Sequence, residues 1–133
     1  MSVKDFAEQF INAEYEAFHE GKFDALEKLE TPNVTYHLIG AGQDTVGFEA
    51  HKQYIQAIRQ MAPGVRINCK YLTGEANMFA LQFTTNGARF TAPAAGFPPP
   101  TGKEMIVNSL FLFRLNEDKI AEAWSNGTVS GLT

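Results

Sequence analysis

The stretch MIVNSLFLFRLNEDKIAEAWSN, residues 105–126, contains the pattern that decides the fold. Its first half, 105–115, is apolar at almost every position, which predicts a strand that is covered on both faces. NEDK at 116–119 predicts a turn, and IAEAWSN at 120–126 then returns as an antiparallel neighbour. We therefore expect one face of this pair to lie against helices and the other against a pocket or a partner.

Other strands are predicted on both sides of the chain's midpoint. VRINCKYL at 65–72 alternates apolar and polar residues, and MFALQFTT at 78–85 does the same. RFTA at 89–92 is predicted as a short edge strand before a proline-rich loop. Nearer the N-terminus, VTYHLIG at 34–40 predicts the first strand. The sheet is therefore expected to have five or six strands.

Three helices are predicted in the N-terminal half. Ser2 and Asp5 have the spacing of a capping box, and Gly21 is a natural end for the first helix. DALEKLE at 24–30 predicts a short second helix, and 48–62 predicts a third. The inward face of the third helix is predicted to hold His51, Ile55, Ile58 and Met61 or Ala62.

The order of these elements predicts an α+β fold, in which three N-terminal helices pack on a curved antiparallel sheet. A sheet that curves around a long helix leaves a cone, and its apolar inside can hold a ligand. No internal repeat or linker interrupts the pattern, so residues 1–133 are expected to form a single domain.

Composition and charge exclude several classes of function. The chain has 44% hydrophobic residues, eleven Phe and a net charge of -4, and it lacks a basic cluster, so nucleic acid is not an expected partner. We expect no membrane span and no signal peptide, hence a cytoplasmic protein. Cys69 is the sole cysteine, which leaves no intramolecular disulfide. Three His without clustered acids predict no metal site, and no cofactor motif is recognised.

Three stretches carry a resemblance to a known family. GKFDALEKLETPNVTYH at 21–37, VGFEAHKQYIQAIRQMAPGVRI at 46–67 and GFPPPTGKEMIVNSLFLFRLNEDKIAEAW at 96–124 resemble the SnoaL-like polyketide cyclase branch of the nuclear transport factor 2-like superfamily. The resemblance implies a cone-shaped α+β domain with a pocket for a small, mostly apolar molecule. It also implies a homodimer that packs through the open face of the sheet.

The same resemblance raises the question of catalysis. Cyclase members commonly have a His before the Trp of the last strand and an Asp four residues after it, but Ala123 and Thr128 stand here. Neither can exchange a proton near neutral pH. His37, at the end of the first strand, lies where related isomerases place a proton-shuttling carboxylate, and it is our predicted base. The alternative is a His at the pocket mouth that has no chemical role.

Ligand-binding residues are predicted from several elements. Tyr15 is expected to donate a hydrogen bond into the cone, unless it is a core residue with a solvated hydroxyl. Asn108 is either a polar group of the pocket or a satisfied structural amide, and Asn126 either orients a ligand carbonyl or belongs to a turn. The apolar residues expected to contact the ligand are Tyr36, Met61, Phe83, Phe97 and Trp124.

Two functions follow from these residues. The first is a cyclase- or isomerase-type enzyme in which His37 acts as base and Tyr15, Asn108 or Asn126 stabilises the developing oxyanion. The second is a non-catalytic ligand-binding or dimeric accessory domain, which the replacement of the cyclase Asp by Thr128 favours.

Overall fold

The computed structural model describes residues 2–38, 44–93 and 98–131. Its helices are α1 (Val3–Tyr15), a π-helical turn (Glu16–Glu20), α2 (Asp24–Leu29) and α3 (Phe48–Met61). None of the described helices is long and apolar enough to cross a membrane.

The first helix begins and ends where the sequence predicts. The Ser2 hydroxyl accepts a hydrogen bond from the Asp5 amide, and the Asp5 carboxylate accepts one from the Ser2 amide, so the predicted capping box is confirmed. The helix continues into the π-helical turn and stops at Gly21, which has a left-handed φ of 71°. A π-helical turn widens the helix by one residue.

The described residues form six strands: β1 (Glu30–Leu38), β2 (Thr45–Val46), β3 (Arg66–Glu75), β4 (Met78–Asn86), β5 (Ile106–Asn116) and β6 (Lys119–Ser130). They lie in one sheet in the order β2-β1-β6-β5-β4-β3. Most neighbours are antiparallel, as predicted, but β1 pairs with β6 in parallel, so the sheet is mixed.

Two sequence predictions of strands are corrected by this topology. The first strand begins at Glu30 and passes through Pro32, so the second helix is shorter than 24–30. The predicted edge strand at 89–92 is not a strand. There the Thr91 amide donates to the Met61 carbonyl, and the neighbouring Ala88 makes only an isolated bridge. The end of α3 therefore takes the backbone hydrogen bonds that a strand neighbour would take.

The inner face of the sheet packs on α1 and α3 through aromatic side chains. Phe113 of β5 lies at the centre, with its ring 4.9 Å from Phe10 of α1 and 4.8 Å from Phe79 of β4. Tyr36 of β1 meets the same ring edge-on at 6.3 Å. Rings in these geometries contribute beyond their buried area. Phe10, Tyr36 and Phe113 of this aromatic cluster also line a cavity on this side of the sheet.

The outer face of the sheet is not covered by the described chain. β5 exposes three large apolar side chains there, since Ile106 is 45%, Leu110 56% and Leu112 41% exposed. The expected helical cover is thus present on the inner face, and the outer face stays open to a partner.

Candidate functional site

A cavity of about 330 Å³ lies between α1, α3 and the inner face of the sheet. This volume is within the range of small-molecule sites. Its walls are mostly apolar and aromatic, and none of its described residues is Lys or Arg. The aromatic residues of the wall are Phe10, Phe18, Tyr36, Tyr54, Phe83, Phe90, Phe111 and Phe113.

Four buried polar side chains meet at one end of this cavity. Nδ1 of His51 lies 3.0 Å from both carboxylate oxygens of Glu30, and the Tyr36 hydroxyl donates to Oε2 of Glu30 at 2.5 Å. Nε2 of His51 lies 4.0 Å from Oε1 of Glu14. Glu14, His51 and Tyr36 line the cavity, while Glu30 lies behind them and is 2% exposed. We call these four residues the floor cluster.

The local folds explain how the floor cluster assembles. Glu14 follows Phe10 by four residues and precedes Phe18 by four, so it lies on the apolar face of α1 and its continuation. His51 is on the first turn of α3, and its ring stacks on Tyr36 with centroids 4.1 Å apart. Glu30 is the first residue of β1, and Tyr36 lies six residues further along the same strand.

Glu14 is a buried acid with incomplete hydrogen bonding. It is 6% exposed, and its Oε2 atom has no hydrogen-bond partner in the part of the chain that the structure describes. Burial raises the pKa of Glu14 to about 7, because the charged form is poorly solvated there. His51 opposes this rise and Glu30 adds to it. An acid of this kind changes its protonation state near neutral pH, which suits a general acid or base.

His51 is held in one orientation by Glu30. Because the Glu30 carboxylate accepts, the geometry assigns the hydrogen to Nδ1, and Nε2 is the nitrogen that faces Glu14. Burial alone would lower the pKa of His51, but the two neighbouring carboxyls outweigh it and raise that pKa. The pKa of the Tyr36 hydroxyl is raised as well, chiefly by burial and then by the charge of Glu30. This hydroxyl therefore stays protonated and donates a hydrogen bond.

The gap between His51 and Glu14 is the chemically useful part of the floor cluster. A separation of 4.0 Å is too long for a direct hydrogen bond, so both groups can instead contact a molecule in the cavity. One group can accept a proton while the other donates one.

The floor cluster is also the place where a metal ion is geometrically conceivable. One ligand atom from each of Glu14, Glu30 and His51 lies within 4.8 Å of the others. The clustered acids that the sequence did not reveal are thus present in space. However, Glu30 already accepts from Tyr36 and His51, which leaves Nε2 of His51 and Glu14 as free ligands. The hydrogen bonding therefore suits proton transfer better than a three-ligand metal site.

The predicted base lies on the other face of the sheet. Val34, Tyr36 and Leu38 of β1 point inward, so His37 points outward, away from the cavity. Its Nε2 is 2.6 Å from Glu122 and its Nδ1 is 2.9 Å from Asp44. The hydrogen bond with Glu122 is the main reason that the pKa of His37 is raised.

Trp124 belongs to this outer group as well. Its ring stacks on His37 with centroids 5.6 Å apart, and it is not among the cavity residues. Glu122, whose pKa is lowered chiefly by its hydrogen bond with His37, also accepts from Arg114 at 3.2 Å. The outer face thus carries a row of paired charges beside the exposed Leu residues.

Tyr15 and His19 contact the edge strand β3. The Cys69 amide donates to the Tyr15 hydroxyl at 3.0 Å, and the Ile67 amide donates to Nε2 of His19 at 2.9 Å. The two rings stack with centroids 5.4 Å apart. Burial is the largest cause that lowers the pKa of His19, which keeps Nε2 available as an acceptor. Tyr15 is therefore next to the cavity wall and not among its lining residues.

Of the remaining residues predicted to contact a ligand, some line the cavity and others lie outside it. Tyr36 and Phe83 line the cavity. Met61, at the end of α3, is half-buried and outside the lining. Asn108 and Asn126 are exposed, and Asn108 accepts from Gln82 on the outer face.

Phe97 lies outside the described residues. Of the residues predicted to contact a ligand, the described part of the chain therefore places only Tyr36 and Phe83 in the cavity lining.

The cavity wall formed by β5 and β6 carries hydroxyl groups and no carboxylate among the described residues. Ser109 and Ser125 line it. Thr128, which stands where the resemblance implies an Asp, also borders the cavity, but it is exposed and pairs with Asn108, which lies on the outer face. Ala123, at the position of the implied His, is fully buried. This wall has no group that titrates near neutral pH.

Sequence reasoning missed Glu14, Glu30 and the role of His51. Glu14 had a detectable signal, because a carboxylate at i+4 from Phe10 and i−4 from Phe18 interrupts an apolar stripe. The helical spacing predicts His51 on the inward face of α3, but it gives no sign of the carboxyl groups that His51 meets there. No local pattern marks Glu30 as a site residue, because it directly follows a short helix that contains other acidic residues.

Comparisons with known proteins agree with this architecture. Residues 8–132 match the model of the SnoaL-like polyketide cyclase family. A comparison with curated protein sequences finds no match.

Among solved structures, IdmH from Streptomyces antibioticus is similar, with a TM-score of 0.71, 22% identity, and coverage of 96% of this chain and 92% of that one. Bal32a, from a soil-derived mobile gene cassette, has a TM-score of 0.73 at 16% identity, covering 93% and 89%. A protein of the SnoaL-like family from Agrobacterium tumefaciens has a TM-score of 0.67 at 16% identity, covering 94% and 96%. At these identities the likeness shows the fold.

Proposed function

Because the chain belongs to the SnoaL-like polyketide cyclase family, we propose that its cavity binds a small, largely apolar carbonyl compound and catalyses proton transfer on it, as a cyclase or isomerase does. The observation that carries this proposal is the floor cluster. There, a buried carboxyl with a free oxygen faces an oriented imidazole across 4.0 Å.

In this reaction Glu14 is the base and His51 the acid. The Glu14 carboxylate takes a proton from the carbon next to the substrate carbonyl, and the electron pair moves onto the carbonyl oxygen. The protonated His51 donates its Nε2 hydrogen to that oxygen, which gives an enol. In a ketone with a neighbouring C=C bond, Glu14 returns its proton to the far carbon of the dienol while the enol hydroxyl gives its proton back to His51, and the double bond has moved. In a diketone, the enol carbon instead attacks the second carbonyl, whose oxygen takes the proton from Glu14 while the enol hydroxyl returns its proton to His51, and a ring closes.

Glu30 and Tyr36 are positioning residues in this mechanism. Glu30 fixes the His51 ring through Nδ1 and stabilises its charged form, as the third group of a catalytic triad does. Tyr36 holds the Glu30 carboxylate in turn. The mostly apolar walls offer water few hydrogen-bond partners, and a bound substrate that displaces water would strengthen the electrostatic interactions within the cavity.

A simple carbonyl probe tests the proposal. The bicyclic ketone 2-tetralone is small, apolar and has acidic hydrogens beside its carbonyl. Its binding is verified by ligand-observed NMR, and its hydrogen–deuterium exchange in heavy water is then followed by the same method. We expect the protein to accelerate exchange, and Glu14→Gln to lower the acceleration by about 10²-fold or more. The rate should rise through about pH 7 as Glu14 ionises, and fall at higher pH as His51 loses its proton.

Two control variants test whether the acceleration depends on the floor cluster. Glu8→Gln makes the same chemical change at an exposed position of α1, and His37→Ala removes the base that the sequence predicted. Both should retain the wild-type rate. Exchange no faster than in buffer would refute the proposed enzyme, and loss of exchange in His37→Ala alone would return the role to His37.

A second candidate function is a non-catalytic receptor for an apolar molecule. It is favoured by strand β6, where Ala123 and Thr128 stand at the positions of the implied His and Asp and neither exchanges a proton near neutral pH. Binding of 2-tetralone without any acceleration of exchange would support this second function.

A further inference from the structure

We propose that the floor cluster is also a binding site for aromatic molecules that carry a primary ammonium group, with the N–H donated to the carboxylate of Glu14. Such molecules would occupy the same cavity as the proposed substrate and compete with it. The proposal concerns binding, and it does not require the protein to be an enzyme.

The first argument is the free oxygen of Glu14. A buried carboxylate oxygen without a donor is costly, and a ligand that supplies an N–H removes that cost. A ketone oxygen or a carboxylate cannot do so, since both are acceptors. Because folding has already desolvated Glu14, only the ligand loses hydration when the pair forms.

The second argument is the balance of charge around the cavity. Glu30 and His51 form a pair through Nδ1, so their charges offset each other when His51 is protonated. Glu14 and Glu30 share this one cation, so one negative charge of the floor cluster is not offset when both carboxyls are ionised. The described lining contains no Lys or Arg that could compensate it. A cation is therefore favoured at the floor, and an anion is disfavoured.

The third argument is the aromatic surround of that carboxylate. Phe10 and Phe18 lie four residues on either side of Glu14 and also line the cavity. Phe113 packs edge-on against Phe10 at 4.9 Å. An ammonium group paired with Glu14 would lie in a cavity whose walls are largely aromatic, and cations are attracted to the faces of such rings. An aromatic ligand body would fill the space toward Phe83 and Phe111.

Three probes with one ring system test this inference. Naphthalen-2-ylmethylamine is a cation, naphthalen-2-ylmethanol is neutral and 2-naphthoate is an anion at pH 8. Titration calorimetry should give the amine a Kd at least about tenfold below that of the alcohol, and the carboxylate a Kd at least about tenfold above it. A carboxylate that binds as tightly as the alcohol, or an amine that binds no more tightly, would overturn the proposal.

Two variants and a measurement of proton release test whether Glu14 causes the preference for the amine. Glu14→Gln should abolish the advantage of the amine over the alcohol, and Glu8→Gln should keep it; an advantage that survives Glu14→Gln would refute the assignment. Should Glu14→Gln fail to fold, wild-type titrations at pH 7 in two buffers of different ionisation enthalpy serve instead. The amine should then release a fraction of a proton as it displaces the proton of Glu14, and no release would overturn the proposal. Ketone exchange is measured separately, so either proposal can fail alone.

Discussion

Replacement of Glu14 by Gln should stabilise the protein in a pH-dependent manner. Burial raises the pKa of this carboxyl from 4.5 to about 7 in the folded protein, so the folded state holds its proton more tightly than the unfolded chain does. The stability from this group is fully present below pH 4.5 and is lost as the pH rises through about 7. Since each pKa unit is worth ~1.36 kcal/mol, the loss amounts to about 3 kcal/mol.

The variant has no such loss, because an amide does not titrate there. At pH 5 Glu14→Gln should be more stable by less than about 1 kcal/mol, since Glu14 is still neutral when folded and only the unfolded chain has begun to ionise. At pH 9 Glu14→Gln should be more stable by about 3 kcal/mol, or roughly 10 °C in Tm for a chain of this length.

Urea unfolding at pH 5, 7 and 9 provides the measurement, with the fluorescence of Trp124, the sole Trp, as the signal. Glu8→Gln is the matched control and should show no dependence of its effect on pH. A difference between wild type and Glu14→Gln that stays constant from pH 5 to 9 would show that Glu14 is not a buried acid. Destabilisation by Glu14→Gln at pH 9 would lead to the same conclusion.

Two further predictions concern the strand edge and the outer face. Tyr15→Phe leaves the Cys69 amide without its acceptor and should lower the free energy of unfolding by about 1–2 kcal/mol in urea titrations; unchanged stability would contradict the role of the hydroxyl. The homodimer expected from the family resemblance would use the open outer face, where Leu110 is 56% exposed. We expect wild type to sediment as a dimer at micromolar concentration and Leu110→Glu as a monomer, and a monomeric wild type would contradict this.

Much of the fold followed from local patterns in the sequence. The capping box at Ser2 and the left-handed stop at Gly21 are local chemistry, so they could be recognised without tertiary information. Alternation located β3 and β4 to within a few residues. The parallel pairing of β1 with β6 could not be predicted this way, because it depends on which distant strands meet.

The candidate site was harder to predict, because successive side chains of a strand point to opposite faces of the sheet. A shift of one residue moves a side chain to the other face of a sheet. The pairing of β5 with β6 contains such a shift between Arg114 and Leu115, and beyond it Ala123 points inward and Trp124 outward. The sequence does not mark that position. His37 differs, because the alternation of Val34 and Tyr36 along β1 already indicated that it points outward.

The floor cluster illustrates another limit. Its members come from α1, β1 and the first turn of α3, and they are brought together only by tertiary packing. Nothing in the spacing of residues 14, 30 and 51 indicates that they meet. The useful signal was the single carboxylate on an apolar helical stripe, because a buried acid is rarely retained without a partner or a function.

The contacts of Tyr15 and His19 with β3 have a consequence for self-association. A sheet edge with free amides is a template for a strand from another molecule, and this is a route to aggregation. At one edge of this sheet, β2 is only two residues long. At the other, side chains from α1 and the π-helical turn occupy the amides of Ile67 and Cys69. Strand addition at β3 would first have to displace both rings, so the helix that carries Glu14 also keeps the sheet from growing.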